Sequence, residues 1–214
     1  MEAARAASRI VTVCRRLYER GLIAGPDGNV SVRLSADRVL VTPCGLSKGE
    51  LAEGDLVEVA LDGRRLAGDR DPSSEVILHL RMYSRRPDVR AVVHAHPPVA
   101  TGFAVAGEGL EAPVLPELIA QMGPVPLVPY ATPGTSELAE VFEPFIAAHD
   151  AFLMANHGAL TVGPTLQSAH QRMESLEHAA RILLAARQLG GVRELTPAQV
   201  APLLAARTIR QGEE

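Results

Sequence analysis

Three histidines have the spacing expected of a metal site. His94 and His96 lie two positions apart on a short apolar segment, and side chains at that spacing on a β-strand point to the same face. His157, in the polar turn Asn156-His157-Gly158 between two apolar segments, could supply a third nitrogen. Catalytic zinc usually takes three protein ligands and keeps one position open. The alternative is that His94 and His96 are two half-exposed strand histidines.

Glu75 is the second residue that could do chemistry. The segment Pro72-Ser73-Ser74-Glu75 predicts the start of a helix in which either serine caps the first turn. Free backbone N–H groups and the dipole at a helix start favour anions. The serines could therefore bind a phosphate or carboxylate, with Glu75 beside it as a base. The alternative is an ordinary capped helix with an acidic residue in its first turn.

Two glycine-containing turns could contribute to the same anion site. Gly28-Asn29 and Cys44-Gly45 could each present backbone N–H groups to a negative charge, although each is only a turn signal on its own. The other histidines are weaker candidates. His79 is predicted inside the helix that follows Glu75. Solvated helix or helix-end positions are predicted for His149, His170 and His178.

The elements that must position these residues follow from hydrophobic periodicity and turn signals. Strands are predicted over residues 29–34, 39–42, 56–61, 91–96, 125–128, 151–154 and 159–162. Helices are predicted from about residue 10 to 21, 75 to 83, 98 to 106, 137 to 149 with an interruption at Pro144, and 166 to 189, with a short final helix from Thr196-Pro197. This mixture predicts one α/β sandwich domain over residues 1–214.

Composition excludes several classes of protein. The 214 residues are 47% hydrophobic and 21% charged, which is typical of a globular chain and not of a disordered one. A net charge of −4 argues against a nucleic-acid partner. Two cysteines cannot make a disulfide framework, so a cytoplasmic location is expected. No apolar run approaches the roughly 18 residues of a membrane span, and the start predicts an amphipathic segment and not a signal peptide.

Five motifs in this order resemble the class II aldolase/adducin family. That family includes L-fuculose-1-phosphate aldolase, L-ribulose-5-phosphate 4-epimerase and methylthioribulose-1-phosphate dehydratase. Any one motif is weak, but five in the right order and spacing are specific, and the resemblance spans roughly residues 5 to 190. The motifs are Gly28-Asn29-Val30-Ser31, Thr42-Pro43-Cys44-Gly45, Pro72-Ser73-Ser74-Glu75, Val93-His94-Ala95-His96 and Asn156-His157-Gly158.

The resemblance implies a fold, an assembly and a cofactor. The expected fold is a three-layer α/β/α sandwich around a mostly antiparallel sheet. The expected assembly is a homotetramer with active sites at subunit interfaces, where the segment 113–123 would lie near the neighbouring subunit. The expected cofactor is Zn²⁺, or another divalent ion such as Mn²⁺ or Co²⁺, bound by three histidines.

Roles carry over to the positions of this chain that match the motifs. The resemblance implies that His94, His96 and His157 are the metal ligands. It implies that Glu75 moves the substrate proton and can ligate the metal when substrate is absent. The positions that correspond to the family's phosphate site are Gly28, Asn29, Cys44, Gly45, Ser73 and Ser74.

The chain departs from the family pattern at three positions. Cys44 stands where sugar-phosphate members carry Thr or Ser, and a thiol is a weak donor. Fuculose-phosphate aldolase takes a tyrosine from a neighbouring subunit as its acid, and the corresponding residue is Glu117. That enzyme has a second functional tyrosine in its C-terminal tail, whereas this chain has none after Tyr130. A glutamate at the first position does acid–base work in the dehydratase, although Glu117 could equally be a surface carboxylate.

The resemblance implies a zinc-dependent aldolase that cleaves a short sugar phosphate, such as L-fuculose 1-phosphate, or a similar 2-keto-3-hydroxy substrate, through an enediolate. A dehydratase or decarboxylase acting through the same enediolate is the alternative. A non-catalytic adducin-like interaction domain is disfavoured because the histidines and Glu75 are all present. Aldolases can instead use a lysine Schiff base. Lys48 is the sole lysine, and its glycine-flanked loop predicts a solvated side chain, so the metal route is favoured.

Overall fold

One β-sheet runs through the molecule and carries the histidine motif near its middle. The computed structural model describes the backbone of residues 2–213 and the side chains of residues 3–206. In chain order the strands are β1 (Asn29–Arg33), β2 (Arg38–Val41), β3 (Val57–Ala60), β4 (Arg65–Ala67), β5 (Ala91–Ala95), β6 (Leu127–Val128), β7 (Ala151–Met154) and β8 (Gly158–Gly163). They form one eight-stranded sheet in the order β4-β3-β2-β1-β5-β8-β7-β6. Only the edge pair β6–β7 is parallel.

Helices cover both faces of this sheet. They are α1 (Glu2–Glu19), α2 (Val76–Arg85), α3 (Pro98–Val105), α4 (Pro116–Gln121), α5 (Ser136–Glu140), α6 (Glu143–Ile146), α7 (Leu166–Gln188) and α8 (Pro197–Glu213). Val93 of β5 packs in the core formed with α1, α3, α4 and α7. Its neighbour Val92 faces the opposite core, formed with α2, α5 and α6. This alternation confirms the three-layer α/β/α fold around a mostly antiparallel sheet.

The central strands join distant parts of the chain beside the histidine motif. Asn29 of β1 pairs with His94 of β5, and His94 pairs on its other side with Leu160 of β8. Residues separated by more than 60 positions therefore become neighbours on adjacent strands. This pairing decides which loops surround the end of β5.

Several local predictions were wrong, each for a structural reason. Strand β4 was missed because its three residues are exposed and carry no alternating pattern. Helix α4 was missed because it has only six residues and begins at Pro116 in a proline-rich segment. The last helix is not short, since it extends to Glu213 with Pro202 inside it.

The start of α2 also differs from the prediction. Glu75 occupies the N-cap position, and neither serine caps the helix with its side chain. Instead the Glu75 N–H donates to the Ser73 hydroxyl at 3.3 Å. Glu75 therefore lies before the first helical residue, Val76, where its side chain can turn towards the sheet. Pro144 does interrupt the next predicted helix, which is divided into α5 and α6.

The described part of the chain contains no helix that is both long and apolar enough to cross a bilayer. The prediction of one domain over residues 1–214 includes Met1 and Glu214, which lie outside the described residues.

Candidate metal centre and active site

The three predicted metal ligands lie together at one end of β5. The ring centroids of His94 and His96 are 4.9 Å apart, those of His94 and His157 are 4.8 Å apart, and those of His96 and His157 are 5.2 Å apart. One potential ligand atom from each residue lies within 4.8 Å of the other two. The convergence that the strand spacing predicted is present, and the turn between β7 and β8 supplies the third imidazole.

Backbone geometry explains how this turn reaches the end of β5. Asn156 has a φ of 56°, a left-handed conformation that asparagine tolerates better than most residues. The next peptide allows His157 N–H to donate to Met154 at 3.0 Å. Gly158 then passes directly under the histidine rings, where an added Cβ would lie 2.6 Å from His96 Cδ2. Only a glycine lets β8 come this close to the cluster.

Glu75 points into the histidine cluster. Its Oε2 lies 3.1 Å from His94 Nε2, and its Oε1 lies 3.2 Å from His157 Nε2. The Asn29 side-chain amide donates to Glu75 Oε2 at 2.8 Å. Glu75 is only 8% exposed, so this hydrogen bond and the two imidazoles fix a carboxylate that water hardly reaches.

The donor set fits a divalent metal. The His94 Nδ1–H donates to the Ala159 carbonyl at 2.9 Å, which leaves the Nε2 lone pair facing the cluster. His96 Nε2 lies 3.2 Å from that same Nε2, and Glu75 Oε1 is buried without a hydrogen-bond partner. Ligand atoms at about 2.0–2.1 Å from a tetrahedral zinc lie roughly 3.3 Å from one another. Close, unsatisfied acceptors at this spacing are what a metal site provides.

Electrostatics separates one charged pair from two neutral imidazoles. Burial lowers the pKa of His96 and of His157 to about 4, and the charge on His94 adds to this effect. Burial alone would also lower the pKa of His94, but the carboxylate of Glu75 outweighs it and raises that pKa. The pKa of Glu75 is correspondingly held far below its usual range by His94, His157 and Asn29, against the opposing effect of burial. Imidazole binds a metal only when it is neutral, and two of the three are neutral at pH 7.

The cluster is open on one side. The His96 side chain is 27% exposed, and Asp27, whose carboxylate lies 3.6 Å from His96 Nδ1, is 48% exposed. The sequence analysis did not single out Asp27. Its position in the turn just before β1 is a usable signal, because that end of β1 pairs with His94. A substrate can therefore approach the cluster past His96 and Asp27.

The residues predicted to bind phosphate lie around the same end of the sheet. Gly28 has a φ of 69°, and a Cβ there would lie 2.7 Å from the His94 carbonyl oxygen. The Cys44 N–H donates to Asp71 at 3.0 Å, and the Ser73 N–H donates to Thr42 at 3.1 Å. These bonds bring Cys44-Gly45 alongside Ser73-Ser74. Asn29 is the exception, because its amide is used by Glu75.

Glu117 is not part of the cluster within one chain. It is an exposed residue of α4 and lines a groove of about 610 Å³ between α4 and α7, with Arg20, Glu174 and His178 on the other wall. None of the residues that line this groove belongs to the histidine cluster. Tyr130, which is 57% exposed, also remains at the surface.

Two residues predicted to be solvated are buried. Lys48 is 2% exposed, and its ammonium donates to the carbonyls of Pro26 at 2.7 Å and Leu46 at 3.0 Å. His170 is 4% exposed because it lies on the buried stripe of α7 with Leu166 and Met173. The spacing of four residues from Leu166 could have revealed His170, whereas no local signal distinguishes a buried loop lysine.

Comparison with known proteins agrees with this site. The model of the family described as Class II Aldolase and Adducin N-terminal domain matches residues 8–184. The chain belongs to this family. Its members are typically dependent on a divalent metal, and the cluster of His94, His96 and His157 could bind one.

Curated relatives of this class II aldolase family member are lyases. 3-oxo-tetronate 4-phosphate decarboxylase of Escherichia coli (strain K12) is 37% identical over 198 residues, which cover 89% of this chain and 91% of the relative. L-fuculose phosphate aldolase of Methanocaldococcus jannaschii is 34% identical over 176 residues, covering 82% and 94%. The prediction that the chain is an enzyme of the class II aldolase family is confirmed.

Solved structures share the fold closely. YgbL from Escherichia coli, a candidate aldolase/epimerase/decarboxylase, has a TM-score of 0.89 at 33% identity, covering 95% of this chain and all of its own. L-fuculose-1-phosphate aldolase from Thermus thermophilus has a TM-score of 0.78 at 34% identity, covering 90% of this chain and all of its own.

Proposed function

We propose that this chain is a divalent-metal-dependent carbon–carbon lyase that decarboxylates a small phosphorylated 3-oxo sugar acid. The observation that carries the proposal is the buried Glu75 carboxylate set between His94 and His157, in a class II aldolase fold. Zinc is the proposed metal because three imidazoles and one carboxylate are ligand types that it favours.

The chemistry follows from the chemical structure of a 3-oxo-tetronate 4-phosphate. Its carboxylate is β to a ketone, so the C1–C2 bond breaks with loss of CO₂ and leaves its electron pair in an enediolate at C2 and C3. One proton delivered to C2 then gives glycerone phosphate. A divalent ion on the histidine cluster would act as a Lewis acid towards the ketone and hydroxyl oxygens.

The residues of this chain supply the rest of the machinery. Asn29 orients Glu75 through its amide, and Glu75 holds or moves the proton at the carbon next to the ketone. The turns at Gly28 and Cys44-Gly45, together with Ser73-Ser74, are proposed to bind the phosphate. His94 is fixed in one tautomer by Ala159.

Aldol cleavage of a sugar phosphate such as L-fuculose 1-phosphate is the second candidate. It leaves the same enediolate but also needs a base for the hydroxyl group on the departing fragment. The aldolase that this chain resembles uses tyrosines near this step, and Glu117 occupies the place of one of them. Four relatives at 35–37% identity are named decarboxylases. Both facts favour decarboxylation, which releases CO₂ without removing a hydroxyl proton.

The decisive experiment measures the co-product. Metal-loaded protein is incubated with 3-oxo-tetronate 4-phosphate and, separately, with L-fuculose 1-phosphate. Glycerone phosphate forms in either case, but decarboxylation releases CO₂ and aldol cleavage releases lactaldehyde. We expect CO₂ from the first substrate and a much slower release of aldehyde from the second. Faster cleavage of fuculose 1-phosphate would reverse the assignment.

The proposal includes a homotetramer whose Glu117 reaches a neighbouring subunit's cluster. Glu117→Gln should then lower kcat while the metal content stays unchanged, because it removes an interaction made in the transition state and not in metal binding. Glu174→Gln, in the same groove, is the matched control. Wild-type kcat in Glu117→Gln, or a mass near 22.7 kDa by light scattering, would contradict this part. A cytoplasmic location is also proposed, on the basis of the two unpaired cysteines.

A further inference from the structure

Lys48 is a buried cation that the lyase chemistry described above does not use. It is the sole lysine of the chain, and it is only 2% exposed. Its ammonium donates to the carbonyls of Pro26 and Leu46. Among residues 3–206, no carboxylate oxygen lies within the roughly 4 Å of an ion pair with it. Asp27 acts on Lys48 only as a weaker, longer-range charge.

A buried charge without an ion-pair partner needs a reason. Burial lowers the pKa of Lys48, which is the sign of a charged form that is costly in this site. A methionine of similar length would avoid that cost. Schiff-base chemistry does not supply the reason, because the amine is enclosed and bonded to two carbonyls. The charge is therefore expected to act on something that binds nearby.

The position of Lys48 identifies what binds. Pro26 lies two residues before Gly28, and Leu46 follows Gly45 directly, so the ammonium joins the two glycine turns of the proposed phosphate site. The Lys48 N–H also donates to Gly25 at 3.1 Å. Because the two carbonyls point at the ammonium, their negative ends are held away from any anion that the turns bind.

We propose that Lys48 is the counter-charge and positioning residue of the phosphate subsite, recognising a phosphate monoester dianion through the turns at Gly28 and Gly45. This inference rests on the proposed function, since that assigns the turns to phosphate. It also accounts for Cys44. A thiol is a weak donor at this position, and a cation beneath the same turn replaces by electrostatics what the hydroxyl would donate.

The first test compares ligands that differ only in the phosphate group. Glycerone phosphate and glycerone are titrated into the metal-loaded holoenzyme by calorimetry. Lys48→Met should weaken the binding of glycerone phosphate about tenfold, which is the effect of losing one charge-assisted interaction. It should leave glycerone affinity and metal content unchanged. Lys48→Arg, which keeps the charge, should recover part of the affinity.

Arg172→Met is the matched control, because it removes another buried cation that donates to a backbone carbonyl, but at the far end of β8. It should lower thermal stability without changing the preference for glycerone phosphate. Equal affinity of wild type and Lys48→Met for glycerone phosphate would overturn the inference. So would a parallel loss of both ligands, which is the result expected of a purely structural lysine.

A second measurement does not depend on the variants folding. Since the chain has one lysine, selective ¹³Cε-lysine labelling gives one side-chain signal in wild-type holoenzyme. Inorganic phosphate should shift this signal in a saturable way, and chloride at equal ionic strength should not. A signal that ignores phosphate overturns the inference, whatever the catalytic result. Turnover with an unresponsive Lys48 would leave the proposed function standing alone, and a phosphate response without turnover would do the reverse.

Discussion

The two ends of the central strands β5 and β8 each carry a buried polar cluster, but the clusters differ in how they are satisfied. At the far end, Asp150 accepts from Arg86 at 2.9 Å and pairs with Arg172 at 3.4 Å. Arg86 also donates to the carbonyls of Ile146 and His149. At the near end, imidazole and carboxylate acceptors face one another, and the buried Glu75 Oε1 has no hydrogen-bond partner.

This difference separates a structural network from a binding site. Donors and acceptors are matched at the arginine end, so the network is complete within the protein. The histidine end has more acceptors than donors, which costs stability unless a cation completes it. The excess of acceptors, more than the number of polar groups, marks the functional end of the sheet.

Loss of a histidine should have the largest effect on this contrast. His96→Ala should lower metal affinity by more than the roughly 10- to 100-fold that removing an outer partner costs, and turnover should be lost with it. Elemental analysis of the purified protein measures the metal. His178→Ala, an exposed histidine of α7, is the control. Stoichiometric metal in His96→Ala would place the metal elsewhere.

Glu75→Gln should have the next largest effect. It keeps the shape of the side chain but removes the group proposed to move the proton, so kcat should fall by about 10²- to 10⁴-fold. Thermal stability should change little, because Asn29 can still donate to the amide oxygen. Proton exchange at the product carbon, followed by NMR in deuterated water, should fall in parallel. Exchange at the wild-type rate would remove Glu75 from the chemistry.

Breaking the arginine end should affect folding and leave metal binding unchanged. Asp150→Asn leaves Arg86 and Arg172 with too little negative charge, and loss of one partner of a buried ion pair costs roughly 3 kcal/mol of unfolding free energy. Asp88→Asn removes the exposed partner of the same Arg86, for which about 1 kcal/mol or less is expected. Urea unfolding measures both changes. Equal costs would show that burial does not distinguish the two pairs.

Acid should destabilise the histidine end first. Burial lowers the pKa of His79 to about 3, below the roughly 6.5 of an unfolded chain. The native state therefore favours neutral His79, and its stabilisation is present above pH 6.5 and is lost as the pH falls towards 3. His79→Asn, which can keep the hydrogen bond to Ser31, should show a weaker loss of stability over this range in metal-free protein. Identical profiles would contradict this.

Most of the fold could be predicted from the sequence because its elements have strong periodicity. The alternation in β1, the apolar run of β5 and the long amphipathic α7 are strong signals. The elements that were missed, β4 and α4, are short and bury little, so their formation depends on neighbours in the fold. The capping of α2 was mispredicted because Ser73 and Ser74 suit an N-cap chemically, whereas pairing near Thr42 decides the local backbone.

Site prediction succeeded where chemistry and local geometry coincide. Two histidines on one strand face converge whatever surrounds them, and the turn histidine was recognisable by its polar context. The burial of Lys48 and the role of Asp27 could not be predicted, because both follow from loops that pack only after β1 pairs with β5. The place of Glu117 depends on a second chain, which no single-chain pattern specifies.

The strand order has a consequence for how the protein matures during synthesis. The donors of the cluster come from β1, α2, β5 and the start of β8, so the set stays incomplete until residue 157 of 214 has left the ribosome. Non-local pairing of this kind is slow compared with helix formation. A nascent chain can thus form α1 and the first hairpin well before it can retain an ion. Metal acquisition then becomes a late event that reports a correctly paired sheet.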